Sequence, residues 1–429
     1  MKDKDLLYKN IDCYLIVKII TVFIVIREIG FFSIPWIIDI YPFDISYYIK
    51  KDICIILAII FLALLFKYKF AFFNTKVTGY YKICIIWIGL IVLTFFTSLF
   101  AYSNETFLML LKKYYFYSLI SVFFILTFLF KKYKGYYSYF IKCIIVVGTV
   151  YALFIILYKA VYETTGIYIF DTNYQLIQER GYTLRLARPA DFISLSCVLS
   201  FSNILKKKDK KPWIVCFLVS LLSIFWVTQT RIYELAILLS CACGWVLYKN
   251  NRILIFIKKR WWVFVIIVTP FLFKFIYSFF ESSEINGTLI RFEGYLYFLK
   301  NIVKNGLIGI GFIADPENFE ILRGPNLKYS LTDLGYVGFI GTYGILGIIF
   351  LIILFLQFYR SIKESFQKKR HPEIAILIIY IIITSFTVIF NDLQRAIYFP
   401  IYLSILNYCT PSIKVHKGHE RHERKVITH

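Results

Sequence analysis

The sequence predicts an all-α polytopic membrane protein, because of its composition and because of a recurring apolar length. Hydrophobic residues make up 59% of the chain and charged residues only 17%, whereas soluble domains contain about 25% charged residues. Apolar stretches of roughly 17–25 residues, the length of a membrane-crossing helix, recur along the whole chain. The first, Cys13–Ser33, is long enough to span and lacks the pattern of a cleaved signal peptide.

These stretches divide residues 1–409 into about twelve predicted spans within a single transmembrane helical domain. The spans lie at about 13–33, 52–68, 82–102, 113–130, 140–161, 189–205, 212–228, 232–248, 261–280, 333–358, 373–390 and 397–409. Residues 410–429 have no apolar stretch, so we expect a disordered basic tail.

Lysine and arginine alternate between the loops in a way that sets the orientation. With a cytoplasmic N-terminus, every second loop is basic, as cytoplasmic loops are in membrane proteins. Most of the net charge of +23 is then an orientation signal and not a sign of nucleic-acid binding. Both termini are expected in the cytoplasm. The larger loops, about 162–188 and 281–332, are expected outside, together with the turns at Arg231 and Asn391–Arg395.

Neither the cysteines nor the histidines indicate a metal site. The nine cysteines lie in or beside apolar runs and are interpreted as small hydrophobic residues. Cys241 and Cys243 are two residues apart on a predicted helix, so they point in different directions. All five histidines, His371 and four in the tail, fall on predicted cytoplasmic segments. We therefore expect no metal or cofactor at the outer face.

The turn "TQTRIYELA", residues 228–236, places Arg231 between two apolar runs. An arginine next to hydrocarbon is costly without a partner. Glu234 follows three residues later on the same helical face. One interpretation is an interfacial pair that anchors the helix end, and the other is that Arg231 binds an anionic ligand.

The stretch "NGTLIRFEGYLYFLKNIVKNG", residues 286–306, predicts a helix in the larger outer loop. At about 100° per residue, Arg291 falls in the apolar arc beside Tyr295 and Phe298, whereas Glu293 lies on the polar side. Arg291 then either snorkels to the interface or contacts an anion in a partly desolvated site. The following "GLIGIGF", Gly306–Phe312, is expected to be a tight turn.

The stretch "TDLGYVGFIGTYGILG", residues 332–347, opens the next predicted span. Asp333 stands at its start, where it either caps the helix or acts as a catalytic carboxylate. Glycines recur there every third residue, and glycines at this density let helices approach closely in a membrane. Close packing would hold the start of the helix, and Asp333 with it, in one place.

The stretch "ERGYTLRLARPADF", residues 179–192, adds Arg180, Arg185 and Arg188 on the other outer loop. Arginines outside run against the positive-inside trend, so orientation does not explain them. The planar guanidinium group matches phosphate oxygens. With Arg231 and Arg291, these residues favour an anionic ligand at the outer leaflet, such as a lipid phosphate or pyrophosphate that carries a sugar.

In their order and spacing, three motifs resemble the O-antigen ligase and polymerase family of bacterial envelope glycosyltransferases. The motifs are "TQTRIYELAILLS", "IRFEGYLYFLKNIVKNGLIGIGF" and "TDLGYVGFIGTYGILG". The resemblance covers about residues 180–360, and the first 150 residues match only as hydrophobic spans.

The resemblance implies a GT-C-like fold in the bacterial cytoplasmic membrane. It also implies a metal-independent reaction on undecaprenyl-pyrophosphate-linked glycans at the outer, periplasmic face. Arg231 and Arg291 would correspond to the paired arginines of the family, which hold the pyrophosphate. We expect Arg180, Arg185 and Arg188 in the same anion-binding site. A protein that regulates chain length is a partner that the family implies.

One difference from the family bears on the activity. The ligase branch has an outer-face histidine where this sequence has Asp333. This favours a polymerase, which transfers a growing glycan from undecaprenyl pyrophosphate to a lipid-linked repeat unit, over a ligase. The expected general base is Asp333, with Glu293 and Glu234 as alternatives. A flippase for lipid-linked oligosaccharides is the alternative of another class, although the sequence shows no clear internal repeat of the kind that transporters often have.

Overall fold

The computed structural model describes most of the chain, and all structural statements below concern this part. The described residues are 15–16, 18–25, 32–33, 45–68, 79–133, 135–167, 171–172, 177–180, 183–186, 190–207, 209–249, 285–304, 308–368, 371–388, 390, 392 and 395–410. The ninth predicted span, 261–280, and nearly all of the predicted tail lie outside these residues.

The described chain is predominantly helical. Its α-helices are α1 (Ile45–Tyr68), α2 (Gly79–Ala101), α3 (Phe107–Lys113), α4 (Ser121–Lys132), α5 (Tyr136–Thr165), α6 (Ala190–Lys206), α7 (Lys211–Leu222), α8 (Arg231–Lys249), α9 (Ile285–Lys304), α10 (Phe319–Arg323), α11 (Gly335–Lys368), α12 (Pro372–Thr384) and α13 (Tyr398–Cys409). Short 3₁₀ or π segments are Tyr115–Ile120, Ser223–Thr228, Pro316–Asn318, Pro325–Leu327 and Leu331–Leu334.

Two antiparallel ribbons of two strands complete the described structure. One pairs β1 (Phe32–Ser33) with β2 (Asp171–Thr172), and the other pairs β3 (Ile177–Arg180) with β4 (Thr183–Leu186). Both ribbons involve the predicted outer loop 162–188.

Six helical segments of the described chain are long and apolar enough to cross a membrane. They are Gly79–Ala101, Tyr115–Lys132, Tyr136–Thr165, Lys211–Thr228, Arg231–Tyr248 and Leu331–Gln367. These coincide with six of the twelve predicted spans. Two further predicted spans, 52–68 and 373–390, overlap with the shorter apolar helices Asp52–Phe66 and Pro372–Thr384.

Two more predicted spans form short helices inside the bundle. Helix α13 has 12 residues, which corresponds to about 18 Å at a rise of about 1.5 Å per residue. Nearly all of its side chains are buried, and so are those of α6. Because other helices surround them, these two helices do not need the length of a lipid-facing span.

Segments that were predicted on the same side of the membrane contact one another. At one end, the buried carboxylate of Glu373 at the start of α12 accepts hydrogen bonds from Lys206 at the end of α6 (2.5 Å) and from Tyr137 at the start of α5 (2.8 Å). Cys409 at the end of α13 lies 3.3 Å from the same oxygen. All four residues lie at predicted cytoplasmic ends, so these contacts agree with the predicted alternation of the spans.

At the other end, helix α11 is broken at Gly344, which has φ 62° and ψ −143°. An irregular segment, residues 308–315, lies against the turn that precedes the break. The N–H groups of Ile310 and Gly311 donate to the carbonyls of Gly341 (2.7 Å) and Thr342 (3.0 Å). Non-helical backbone at membrane depth requires such internal partners, and each of these two chain segments provides them for the other.

Side chains from the end of α2, the loop after it and the residue that follows α3 also form hydrogen bonds with this segment. The Tyr102 hydroxyl donates to the Ile310 carbonyl, and Ser98 Oγ accepts from the Phe312 N–H group. The Tyr114 hydroxyl donates to the Ile313 carbonyl. Glu105 Oε1 accepts from the N–H groups of residues 314 and 315. We call residues 308–315 the inserted segment.

The inserted segment corrects one expectation from the sequence. The "GLIGIGF" stretch was predicted to be a tight turn, but its described part, residues 308–312, pairs with α11 and forms no turn. Gly309 shows why this stretch contains glycine, because a Cβ atom at this position would lie 2.3 Å from the Thr342 carbonyl oxygen. The glycines permit close backbone approach, and that role depends on a distant part of the chain.

Replacing Gly311 by alanine is expected to destabilise the protein. Gly311 has φ 79°, and an added Cβ atom would lie 2.5 Å from Ser98 Oγ. We expect a loss of about 1–3 kcal/mol, measured as a lower melting temperature of the detergent-solubilised protein.

The matched control is Gly89→Ala in α2, where an added Cβ atom meets nothing within 4 Å. Alanine is a better helix former than glycine by about 0.8–1 kcal/mol, so this variant should melt at the same or a higher temperature. Equal melting temperatures for the two variants would contradict the role of Gly311.

Candidate functional site

A cavity of about 160 Å³ opens beside the inserted segment, at the end of the bundle that holds the predicted outer loops. Its aromatic wall contains Tyr114, Tyr117 and Phe312. The Tyr114 and Tyr117 rings are stacked with their centroids 6.1 Å apart, and the Phe312 centroid lies 4.5 Å from that of Tyr114. The inserted segment therefore contributes an aromatic ring to the cavity as well as backbone pairing.

The polar part of the cavity wall comes from three separate chain segments. Arg323 ends α10, Thr332 lies in the 3₁₀ turn before α11, and Asp392 lies in the loop between α12 and α13. Thr342, in the turn that precedes the break in α11, is also on the wall. Among the described residues that line the cavity, Arg323 and Asp392 have charged side chains.

A buried arginine lies three residues after Asp392. Arg395 is only 5% exposed. Its Nε atom lies 3.1 Å from Asp191 Oδ1 at the start of α6, in an ion pair. Its Nε–H and Nη2 groups donate to the Tyr233 hydroxyl at the start of α8 (3.2 and 2.6 Å). Its Nη1 group donates to the carbonyls of Thr384 and Val388. Arg395 thus joins the ends of three helices to the loop that carries Asp392.

The turn that precedes Arg231 is held at several points. Helix α7 continues as a π-helical segment to Thr228, and Gln229 then adopts a left-handed conformation with φ 46°. The buried ammonium group of Lys159 donates to the Trp226 carbonyl (2.5 Å), as does the Gln229 side-chain amide (3.0 Å). π-Helical turns and left-handed non-glycine residues are concentrated at functional sites.

Arg231 is the first residue of α8 and is partly buried, with its Nη1 atom fully enclosed. It lies two residues before Tyr233, which Arg395 holds. The backbone N–H group of Arg395 donates to the Asp392 carbonyl (2.9 Å), so Arg395 links the start of α8, where Arg231 lies, to the loop on the cavity wall. Glu234, one helical turn after Arg231, is also partly buried.

Arg291 lies on the inward face of α9, as its spacing in the sequence indicates. The neighbouring residues on this face, Phe298 and Ile302, are buried, and Arg291 itself is partly buried. Glu293 lies on the exposed face and accepts a hydrogen bond from Lys328 (2.5 Å). This hydrogen bond lowers the pKa of the Glu293 carboxyl, which makes Glu293 a weaker base.

Asp333 lies in the 3₁₀ turn Leu331–Leu334, directly before α11, and is exposed. The turn is closely packed, because a Cβ atom on Gly335 would lie 2.3 Å from the Ser385 carbonyl oxygen. The glycine-rich start of α11 therefore fixes the backbone next to Asp333. Asp333 itself does not line the cavity, although its neighbour Thr332 does.

The remaining predicted arginines belong to the first outer loop. Arg180 ends β3, and Arg185 lies in β4 and is partly buried. Arg188 lies outside the described residues. The six predicted site residues whose side chains the structure describes, Arg185, Arg231, Glu234, Arg291, Glu293 and Asp333, do not line the cavity.

Arg323, Asp392 and Arg395 were not predicted as site residues from the sequence. Arg395 has the same signal that singled out Arg231, because it is an arginine in a short predicted outer turn next to an apolar run. Arg323 and Asp392 stand in no recognisable motif, and only the packing of distant loops brings them together.

A scan of the chain against models of known protein families finds no match, and a search of curated proteins finds no significant match either.

Arg395 and Asp191 are expected to stabilise the protein as a coupled pair. Removing one partner of a buried ion pair leaves an uncompensated charge and costs about 3–5 kcal/mol. The variants Arg395→Leu and Asp191→Leu should each melt well below the wild type. The double variant should lose less than the sum of the two, with a coupling energy of about 0.5–3 kcal/mol.

The control is Asp209→Leu, which changes an exposed acid in the loop between α6 and α7. A substitution of this kind changes stability by about 0.5 kcal/mol or less. Strictly additive losses in the Arg395 and Asp191 cycle would contradict the pairing.

Proposed function

We propose that the protein is a membrane glycosyltransferase that polymerises lipid-linked saccharide repeat units. The donor is a growing glycan on undecaprenyl pyrophosphate, and the acceptor is another lipid-linked repeat unit at the outer face of the bacterial cytoplasmic membrane. The observation that carries the proposal is the link through Arg395 between Tyr233, two residues after Arg231, and the Asp392 loop on the wall of an aromatic and polar cavity. Twelve spans and a GT-C-like arrangement belong to the same proposal.

In the proposed reaction, an acceptor hydroxyl oxygen attacks the anomeric carbon of the donor sugar. A new glycosidic C–O bond forms, and the bond between the anomeric carbon and the diphosphate oxygen breaks. That electron pair remains on undecaprenyl pyrophosphate, which leaves. The acceptor proton passes to a carboxylate, for which Asp333 is our first candidate. No nucleotide or metal takes part in this scheme.

Arg231 and Arg291 are proposed to stabilise the charge that develops on the diphosphate. Both arginines are partly buried, and donors held in place in a water-poor site stabilise developing charge more strongly than they do in water. The strongly held turn before Arg231 supports this role, because a preorganised group needs no rearrangement during the reaction. Arg180, Arg185 and Arg188 would extend the anionic site, and a chain-length regulator is a proposed partner.

A flippase for lipid-linked oligosaccharides is the second candidate, and the break in α11 favours it. Discontinuous helices form the substrate sites of many transporters. The two functions differ in one product, since only a polymerase makes a new glycosidic bond. Purified protein in liposomes that carry lipid-linked repeat units distinguishes them, by a gel for longer glycans and by an assay for lipid translocation.

Arg231→Ala is expected to reduce polymer formation by about 10²–10³-fold, the usual effect of removing one donor to a developing oxyanion. Arg231→Lys should retain only part of the activity, because a lysine keeps the charge but not the planar fork. The measurement is the yield of long glycans from purified lipid-linked repeat units.

The control for these variants is Arg360→Ala, an exposed arginine at the far end of α11. It should polymerise at the wild-type rate. Normal polymer from a well-expressed Arg231→Ala variant would refute the pyrophosphate site.

Asp333→Asn is expected to abolish polymer while leaving the amount of folded protein unchanged, because an amide cannot accept the proton of the acceptor hydroxyl. Glu293→Gln should have a smaller effect, since the Glu293 carboxylate is already bonded to Lys328. The exposed acid Glu320 gives the control Glu320→Gln. Polymer at the wild-type level from Asp333→Asn would leave Asp333 with a structural role only.

A further inference from the structure

We propose that the cavity beside the inserted segment binds one pyranose ring, the terminal sugar of the acceptor. The identification of this sugar as the acceptor rests on the proposed function. The binding of a sugar in the cavity rests on the cavity itself, and the two parts can fail separately.

The size of the cavity favours a single ring. Its volume is about 160 Å³, which is well below the ~300–1,000 Å³ of sites that enclose drug-sized ligands. An oligosaccharide would therefore place one sugar in the cavity and the rest outside it. The cavity is open on one side, so a glycan can enter with its terminal ring first.

The cavity lining suits both the apolar faces and the polar edge of a sugar ring. The C–H faces of a pyranose ring are apolar and pack against aromatic rings, and Tyr114, Tyr117 and Phe312 form such a wall. The hydroxyl groups at the ring edge both donate and accept hydrogen bonds. Asp392 accepts them, Arg323 donates them, and hydrogen bonds to charged groups are about twice as strong as neutral ones.

The wall is also held rigidly, as sugar recognition requires. The Tyr114 hydroxyl bonds to the Ile313 carbonyl (3.0 Å), and the Tyr117 hydroxyl accepts from that of Tyr343 (3.0 Å). Both tyrosines therefore keep their rings in place before a ligand arrives, which reduces the entropy lost on binding.

The charge of the cavity wall favours the acceptor sugar over the donor diphosphate. Arg323 and Asp392 carry opposite charges, so the wall gives a dianion no net attraction. The proposed diphosphate-binding residues Arg231 and Arg291 do not line the cavity. A neutral ring with a reactive hydroxyl suits this wall better than a pyrophosphate does.

The test fills the cavity with a large side chain. Thr332 lines the cavity and is exposed, so Thr332→Trp should block it without disturbing the core. Glu320→Trp is the control, since Glu320 is exposed on α10 and does not line the cavity. The probes are the methyl pyranosides of the sugars in the host's own surface glycan, and inorganic pyrophosphate.

Binding to the protein in nanodiscs is measured by saturation-transfer NMR. The wild type and Glu320→Trp should show transfer to at least one methyl pyranoside, and Thr332→Trp should reduce it at least tenfold. Asp392→Asn should weaken binding in the same direction. Pyrophosphate has no protons for this experiment, so its binding is followed by line broadening in phosphorus NMR. It should be unchanged in Thr332→Trp and reduced in Arg231→Ala.

Two results would overturn the inference: no transfer from the wild type to any of these pyranosides, or equal transfer in Thr332→Trp. The polymerisation assay is scored separately. If the wild type polymerises and Thr332→Trp polymerises equally well, the cavity is not the acceptor site, and the proposed function stands. Sugar binding that Thr332→Trp abolishes, in a protein that makes no polymer, rejects the function and keeps the sugar site.

Discussion

The pairing of the inserted segment with the broken helix α11 is the contact on which the described site depends. Inside a membrane, an unpaired N–H or C=O group has no water to bond to, so irregular backbone survives only where protein groups replace the water. Here the N–H groups of Ile310 and Gly311 bond to carbonyls just before the break at Gly344. Side chains from the end of α2 and from the loop that follows it bond to further groups of the segment. The break and the segment are therefore stable only together.

This pairing has a chemical consequence as well as a structural one. A continuous helix would fill the space next to Thr342 with its own turns, whereas the break and the inserted segment leave a cavity with Phe312 on its wall. The same packing brings Arg323 and Asp392, which are far apart in the sequence, to one cavity. A site for a polar ligand thus arises at the point where the helical pattern is interrupted.

Buried charges fix both ends of the bundle in a comparable way. At one end of the bundle, Glu373 accepts hydrogen bonds from the start of α5 and the end of α6. At the other end, Arg395 contacts the starts of α6 and α8. Buried ion pairs add little net stability, but a helix end that shifts away from its partner leaves a charge without compensation. They therefore restrict where the helix ends lie. At the Arg395 end, this restriction also positions Arg231 and Asp392.

The sequence by itself determined the membrane class, six of the predicted spans, the inward face of α9 and the exceptional nature of the Arg231 turn. These properties follow from apolar length and from helical periodicity, which are local. The inserted segment, the break at Gly344 and the partners of Arg395 were decided only by tertiary structure. Each depends on a backbone or charged group that finds its partner in a distant segment. In the sequence, Gly309 and Gly311 indicate a turn, and only the structure shows Thr342 beside them. No sequence motif around Asp392 indicates that it lines a cavity. Periodicity carries no information about such pairings, because the physical requirement is that a buried polar group be satisfied, and any segment that reaches it can do so.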